Sequence, residues 1–218
     1  MSAASRLVHI PSGHARLEGM LEAPPAASGV VLFAHGSGSS RLSPRNNFVA
    51  GELRAAGLAT LLMDLLTAEE DRAYRTRFDI ALLTERLADA VRWLRGDTMA
   101  GTLPFGLFGA STGAAAALQV AAALPGEIGA VVSRGGRPDL AGAEALARVR
   151  APTLLIVGGE DYGVIELNEA AHARLACAKE LAIVPGATHL FEEPGTLEEV
   201  ARLAAAWFTR HLAGARPA

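Results

Sequence analysis

The stretch Gly109-Ala110-Ser111-Thr112-Gly113 lies where an apolar run ends and an alanine-rich segment begins. Residues 103–108 have the apolar character of a buried strand, and residues 114–124 favour a helix. A sharp turn between a strand and a helix forces its central residue into a strained backbone conformation, and glycines two positions before and after leave space for the chain to fold back. The stretch therefore predicts an exposed Ser111 on a tight turn, which is the place for a nucleophilic serine.

The same pattern can arise by chance, because the chain contains 23 glycines. A serine is a weak nucleophile unless a base removes its proton, so a catalytic Ser111 requires a histidine and an acid elsewhere in the chain. The rest of the sequence therefore tests this interpretation.

Length and composition predict one domain. The chain has 218 residues, of which 50% are hydrophobic and 20% are charged, so we expect residues 1–218 to form a single domain around one core. The formal net charge is −3, and no stripe of aromatic and basic residues is present to hold nucleic acid. Nucleic acid is therefore excluded as an expected partner.

The chain shows no targeting or membrane signal. Met1–Ser12 lacks the continuous apolar core of a secretory signal, and no apolar run reaches the roughly twenty residues of a membrane helix. We therefore expect a cytoplasmic protein with no membrane partner. The single cysteine, Cys177, cannot form an internal disulfide, and we expect it to be a structural thiol in a helix. Cysteine-based metal binding is excluded, and the oligomeric state is left open.

Strand and helix patterns alternate along the chain. Strands are predicted at residues 6–10, 15–22, 29–34, 58–63, 103–108, 128–133, 153–157 and 181–184. Helices are predicted from Ser43 to Gly57, at residues 83–94, 114–124, 140–149 and 164–177, and from residue 196 onward. This alternation predicts the α/β fold class, with a mostly parallel twisted sheet and helices on both faces. Ligands bind such sheets at the carboxyl ends of the strands.

Local signals mark several helix ends. Ser43-Pro44 is typical of a helix start, and Phe48, Val49 and Leu53 supply its inward face. Thr196 and Glu199 are expected to form a capping box for the last helix. The glutamate- and arginine-rich connection 65–77 is interpreted as either a mobile flap or a solvated loop.

The partners that Ser111 requires follow two later strands. The strand at 153–157 leads into Asp161, and the strand at 181–184 leads into His189. Both residues would therefore lie at the same edge of the sheet as Ser111. The order Ser, Asp, His is also one of the known orders of a catalytic triad.

With these motifs in order, the chain resembles the α/β-hydrolase superfamily, in particular its compact, lid-less dienelactone-hydrolase-like esterases. The resemblance covers nearly the whole chain. It rests on His35-Gly36-Ser37-Gly38, on Gly109 to Gly113, on Gly158-Gly159-Glu160-Asp161 and on the His189 loop. It implies an α/β-hydrolase fold without a separate cap domain, and the short connection between Ser133 and Thr153 agrees with an open site.

The resemblance implies a role for each site residue. Ser111 would attack an acyl carbon, His189 would accept and return the proton, and Asp161 would hold the imidazole. The backbone N–H groups of Ser37 and Thr112 would form the oxyanion hole.

Two acids and six histidines compete for the triad positions. Glu160 is an alternative acid, but Asp161 occupies the position that matches the family. His9 and His14 come too early in the chain, while His172 and His211 fall within predicted helices. His35 stands where the family organises its oxyanion loop, so it is interpreted as structural.

The resemblance predicts a serine hydrolase that needs no cofactor or metal and cleaves carboxylic esters of small or medium acyl groups. Dienelactone hydrolases are expected to carry a cysteine nucleophile, so Ser111 favours general ester hydrolysis over their lactone substrate. A thioesterase, a lactone hydrolase and an acyltransferase remain open on the same triad. A non-catalytic binding protein with a hydrolase fold is the alternative from another class.

Arg134 follows a predicted strand on the side of the site, so it could attract an anionic substrate group, with or without Arg137. A loop held locally by Arg137 and Asp139 is the alternative that we favour at this point. Arg41, Arg45 and Asn46 also follow the oxyanion loop and could border the pocket, but we expect them to cap and solvate the helix that begins near Ser43.

Overall fold

The structure, a computed structural model, describes residues 4–213. Its eight strands form one sheet in the order β1-β2-β4-β3-β5-β6-β7-β8. They are β1 (Ala4–Ser12), β2 (Ala15–Ala23), β3 (Val30–Ala34), β4 (Ala59–Met63), β5 (Phe105–Ala110), β6 (Ile128–Arg134), β7 (Thr153–Gly158) and β8 (Lys179–Val184). Strand β2 runs antiparallel to β1 and β4, and the pairs from β4 to β8 are parallel. The predicted α/β class is confirmed.

Helices cover both faces of the sheet. They are α1 (Pro44–Ala55), α2 (Ile80–Arg95), α3 (Thr112–Ala123), α4 (Ala143–Arg148), α5 (Tyr162–Arg174) and α6 (Thr196–Leu212). Helices α1 and α6 pack together on one face, and α2 to α5 lie on the other. Every residue of β3, β4, β5 and β7 is buried. Coverage on both faces explains why these strands are continuous apolar runs.

The start of α1 is as predicted, and its inward face is only partly so. Ser43 Oγ accepts a hydrogen bond from Asn46 N at 3.4 Å, and Gly57 follows the helix with φ at +84°. Val49 and Leu53 are buried, but Phe48 is 38% exposed. Phe48 therefore lies at the edge of the helix face that contacts the sheet.

The predicted helix at residues 164–177 is too long at its carboxyl end. Helix α5 ends at Arg174, and Leu175 is extended and buried. The Lys179 ammonium donates to His172 O and Leu175 O, both at 2.6 Å, and so satisfies carbonyls at this end. Cys177 therefore lies in the turn between α5 and β8, and its expected helical position is wrong.

The predicted capping box of α6 is also wrong. Gly195, with φ at +83°, is the N-cap residue, and Thr196 is the first helical residue. The Thr196 hydroxyl donates to Glu193 O at 2.7 Å, outside the helix. The Glu199 carboxylate pairs with Arg202 and not with the helix start. The N-cap of α6 is thus Gly195, with a left-handed backbone, and not the predicted Thr196.

The connection from β6 to β7 carries no inserted cap within the described chain. It contains a 3-10 helix, Pro138–Ala141, followed by α4. The predicted helix at residues 140–149 is divided because Gly142 adopts φ of +85° between the two pieces. The connection that begins at residue 65 holds two more 3-10 helices, Glu70–Arg72 and Thr76–Phe78. None of the helices in residues 4–213 has the length and apolar character needed to cross a membrane.

Candidate active site

Ser111 occupies a strained turn between β5 and α3. Its backbone has φ of 50° and ψ of −120°, a region that non-glycine residues rarely adopt. Ser111 N donates to Arg134 O at 3.3 Å, so the turn is tied to the end of the neighbouring strand. The strain predicted from the sequence is therefore present at the predicted residue.

The two glycines that flank Ser111 are required by space. A Cβ atom on Gly113 would lie 2.1 Å from Ala34 O, and one on Gly109 would lie 2.4 Å from Ala114 Cα. Because the nearest atoms belong to the backbone, neither clash can be relieved by a side-chain rotation. The glycines allow α3 to begin directly against β3 and β5.

Asp161 contacts His189 across two loops. Asp161 Oδ2 lies 2.6 Å from His189 Nδ1, and Asp161 follows β7 at the N-cap position of α5. Its side chain makes no capping hydrogen bond to the helix. Glu160 instead accepts a hydrogen bond from the Tyr162 hydroxyl at 2.5 Å, which raises the pKa of Tyr162. Of the two acids, the structure therefore brings Asp161 to the histidine.

Backbone hydrogen bonds hold these two loops together. Gly159 N donates to Val184 O at 2.8 Å, and Glu160 N donates to Ala187 O at 2.9 Å. A Cβ atom on Gly158 would lie 2.3 Å from Ala187 O, so only glycine permits this close approach. The loop after β7 and the loop after β8 therefore form one packed unit that carries both Asp161 and His189.

The His189 loop is closed on itself by Glu193. The Glu193 carboxylate accepts from the Thr188 hydroxyl at 2.6 Å and from Thr188 N at 3.1 Å, and these bonds lower the pKa of Glu193. Phe191 adopts φ of +56° and is buried. The backbone on both sides of His189 is thus fixed by contacts within the loop.

Ser111 and His189 line the same cleft, which has a volume of about 170 Å³. Among the described residues no hydrogen bond joins their side chains. Such contacts are often long in the absence of substrate and shorten when it binds. The structure therefore brings the three predicted residues Ser111, Asp161 and His189 to one edge of the sheet, with the Asp161 contact already formed.

The loop after β3 packs directly against the turn at Ser111. A Cβ atom on Gly36 would lie 3.0 Å from Ser111 Cβ. Ser39 N donates to Gly36 O at 3.2 Å, and Gly38 has φ of +68°, so Ser37 lies in a tight turn. Within residues 4–213, neither Ser37 N–H nor Thr112 N–H donates to another group, and Thr112 begins α3, where such donors are free. Ser37 lines the cleft and Thr112 follows the cleft residue Ser111, so both N–H groups stay candidates for the oxyanion hole.

His35 supports this loop from beneath. Its Nε2 accepts from Leu65 N at 2.9 Å, and its Nδ1 lies 2.9 Å from Gly36 O. One ring nitrogen accepts while the other donates, which describes a neutral imidazole. Burial lowers the pKa of His35 and favours the same form. His35 therefore links the segment after β4 to the loop of Ser37.

Two arginines line the cleft. Arg134 is only 6% exposed, and burial, followed by repulsion from Arg45, lowers the pKa of Arg134 to about 10. Arg45 extends to Glu192, with Nη1 2.6 Å from Oε1, so it lies at the cleft in addition to opening α1. The sequence favours the helix role for Arg45, and the structure places it at the border of the cleft as well, which was the alternative. Arg137 pairs with Asp139 at 2.8 Å as expected.

The cleft holds a serine hydroxyl, an imidazole and two guanidinium groups, those of Ser111, His189, Arg45 and Arg134. In the part of the chain that the structure describes, no three His, Cys, Asp or Glu side chains gather as a metal site would require.

Residues 17–212 match the model of the Dienelactone hydrolase family. The chain belongs to the dienelactone hydrolase family. It is similar over 96% of its length to a dienelactone hydrolase from Anabaena variabilis ATCC 29413, at 54% identity, with a TM-score of 0.94 and 99% of that chain covered. The family match and this likeness place the chain in a hydrolase family with the α/β-hydrolase fold.

Other relatives of this dienelactone hydrolase family member differ in length or in sequence. Two Mycobacterium tuberculosis proteins that bear the provisional name phosphoribosyl transferase are 56% identical over 96% of the chain. The chain spans about half of their length, 47%. Est1E from Butyrivibrio proteoclasticus has a TM-score of 0.82 at 16% identity, with 95% of this chain and 99% of that chain covered. That likeness shows the fold alone.

Proposed function

We propose that this hydrolase cleaves carboxylic esters of small or medium acyl groups through an acyl-enzyme on Ser111. The observation that carries the proposal is the 2.6 Å contact of Asp161 with His189, in a cleft that Ser111 also lines. A strained serine, an oriented imidazole and two free backbone donors are the parts that acyl transfer needs.

Acylation begins with proton transfer. His189 Nε2 takes the proton of Ser111 Oγ as this oxygen bonds to the ester carbonyl carbon. Asp161 accepts the Nδ1–H of His189, which fixes the tautomer and stabilises the imidazolium. The carbonyl oxygen becomes an oxyanion that the N–H groups of Ser37 and Thr112 stabilise, and one such donor contributes about 3 kcal/mol. His189 then protonates the departing alcohol as its bond to carbon breaks.

Deacylation repeats these steps with water. His189 removes a proton from a water molecule, whose oxygen adds to the acyl carbon of Ser111. The second tetrahedral intermediate uses the same two backbone donors. It collapses when the bond to Ser111 Oγ breaks and His189 returns the proton to that oxygen. The products are a carboxylic acid and the free enzyme, without any cofactor.

The size of the cleft favours substrates with small or medium acyl groups. Its volume is about 170 Å³, and no cap extends it in the described chain. We also propose that the protein is cytoplasmic and that its partner is a small-molecule ester, as expected from the sequence. The mycobacterial relatives with the phosphoribosyl transferase name are about twice as long as this chain.

Lactone hydrolysis is a second candidate, favoured by the name of the Anabaena protein, which is 54% identical. A lactone is an internal ester, so the same attack by Ser111 opens its ring and the departing alcohol stays on the acyl group.

A panel of p-nitrophenyl esters of increasing chain length, with thioesters and lactones alongside, tests the proposal. We expect the wild-type chain to hydrolyse short esters and the Ser111→Ala variant to be inactive. Ser28→Ala is a matched control on the surface, where the loss of a hydroxyl should leave the rates unchanged. Activity that persists in Ser111→Ala would reject Ser111 as the nucleophile, and a folded chain with no activity on the panel would favour the binding-protein alternative.

A further inference from the structure

Arg134 is a buried cation without a counter-ion among the described residues. Two arginines in residues 4–213 are less than a tenth exposed, Arg86 and Arg134. Arg86 pairs with Glu70 at 2.9 Å. Arg134 has no carboxylate partner: its Nη2 donates to Asn46 Oδ1 at 3.2 Å, and its buried Nε has no acceptor. Burial of an unpaired charge is costly, so its retention here points to a ligand that completes it.

The position of Arg134 places this charge beside the reacting atoms. Arg134 ends β6, next to the turn of β5, and its carbonyl accepts the N–H of Ser111 at 3.3 Å. Its side chain lines the cleft together with Ser111 and His189. A group bound by Arg134 would therefore lie within a few bonds of the ester that Ser111 attacks.

The surroundings of Arg134 add positive potential. Arg45 lines the same cleft, and the one carboxylate that it pairs with among residues 4–213 is the exposed Glu192. The first turn of α1 contains no acidic residue, and the positive end of a helix dipole favours anions. The pKa of Arg134, lowered to about 10, still leaves it protonated at neutral pH. The cleft is thus locally cationic although the chain has a net charge of −3.

We propose, on the basis of the ester hydrolysis proposed above, that Arg134 binds an oxyanionic group of the substrate, a carboxylate or a phosphate, close to the scissile bond. The planar guanidinium suits such groups because it can donate two parallel hydrogen bonds. Nη1 of Arg134 makes no hydrogen bond within residues 4–213 and is not among the buried atoms, so it is the donor open to such a group. Arg45, which lines the same cleft, attracts the same group.

Matched pairs of esters measure this preference. Monomethyl glutarate is compared with methyl pentanoate for the carboxylate, and 1-acetylglycerol 3-phosphate with 1-acetylglycerol for the phosphate. Acid release in a pH-stat gives kcat/KM for each ester. We expect the wild-type chain to prefer the charged member of at least one pair by about 10- to 100-fold, the value of one or two hydrogen bonds to a charged group.

Substitutions test whether Arg134 causes this preference for charged esters. Arg134→Met should reduce the ratio of charged to neutral kcat/KM by about tenfold or more. Arg45→Met, at a more exposed position, should reduce the same ratio less and serves if Arg134→Met does not fold. Arg137→Met is the matched control, because Arg137 is three residues away and already paired with Asp139. It should keep the wild-type ratio.

Calorimetry on the Ser111→Ala chain separates this proposal from the proposed function. Glutarate or inorganic phosphate should bind this variant, and Arg134→Met should abolish the binding. Anion binding without ester cleavage by the wild-type chain would support the Arg134 site and reject the hydrolase mechanism. Ester cleavage with a charge ratio near 1 in both pairs, or equal losses for charged and neutral esters in Arg134→Met, would overturn the Arg134 site alone.

Discussion

Asp161 Oδ2 lies 2.6 Å from His189 Nδ1, although Asp161 stands at the N-cap position of α5. An aspartate at that position ordinarily accepts a hydrogen bond from a backbone N–H of the first turn. Here the carboxylate makes no such bond and instead orients the imidazole. The Asp161 side chain thus contacts His189 in the neighbouring loop and does not cap α5.

Replacement of this carboxylate by an amide should remove catalysis while keeping the fold. In Asp161→Asn the amide no longer favours the Nδ1–H tautomer of His189, so we expect kcat/KM on short esters to fall by about 10³- to 10⁴-fold. Steady-state kinetics measure the loss, and the thermal midpoint should hardly change.

Glu160→Gln is the control for this substitution. Glu160 is the neighbouring acid and contacts Tyr162 rather than His189, so its kcat/KM should stay within about twofold of wild type. Similar losses in both variants would contradict the assignment of Asp161.

Substitution of the glycines in the Ser111 turn should destabilise the fold. A Cβ atom in Gly113→Ala would meet Ala34 O at 2.1 Å and His35 O at 2.6 Å, so the chain should lose about 1–3 kcal/mol of unfolding free energy or more. Gly163→Ala, in the first turn of α5 with nothing within 4 Å of the new Cβ, should instead gain about 0.5 kcal/mol. Urea unfolding of both variants measures the difference, and equal stabilities would argue against the close approach of α3 to β3.

The neutral state of His35 should make stability depend on pH. Burial lowers the pKa of His35 below 6.5, so the unfolded chain binds this proton at a higher pH than the folded chain. The contribution is fully present above about pH 6.5 and is lost as the pH falls below that value. Urea unfolding at about pH 7.5 and about pH 5.5 should show a smaller acid-induced loss in His35→Gln than in wild type.

The other shifted histidine does not disturb this comparison. The pKa of His211 is also lowered by burial, but His211 is present in both chains. An identical loss of stability in wild type and His35→Gln would contradict the buried neutral imidazole of His35.

The sheet and the positions of Ser111, Asp161 and His189 at its edge could be predicted because their signals are local. The apolar runs of β3 and β5 indicate buried strands without any knowledge of their neighbours. Gly109 and Gly113 flank Ser111 at the two positions where the turn has no space for a side chain. Asp161 and His189 could be placed because each follows a strand of a parallel sheet, whose carboxyl ends share one edge.

The wrong predictions concern positions where the rest of the fold decides. Thr196 and Glu199 have the spacing of a capping box, but Gly195 with its left-handed backbone begins α6 one residue earlier. Cys177 continues a helical pattern, but the burial of Leu175 ends α5 before it. No local signal distinguishes either outcome.

The environment of Arg134 could likewise not be predicted from the sequence. Its position after a strand was visible, but its burial and its lack of an acid depend on which side chains of α1 and the His189 loop reach the cleft. Arg45 and Asn46, which are distant in sequence, provide that environment.

A fluorophosphonate probe tests the central claim most directly, because it forms a stable adduct only with an activated serine. Peptide mapping by mass spectrometry should find one adduct per chain, on Ser111, in folded wild-type protein. Ser111→Ala should carry no adduct, and Asp161→Asn should react far more slowly. A folded wild-type chain that carries no adduct, or one that carries it on another residue, would contradict a nucleophilic Ser111.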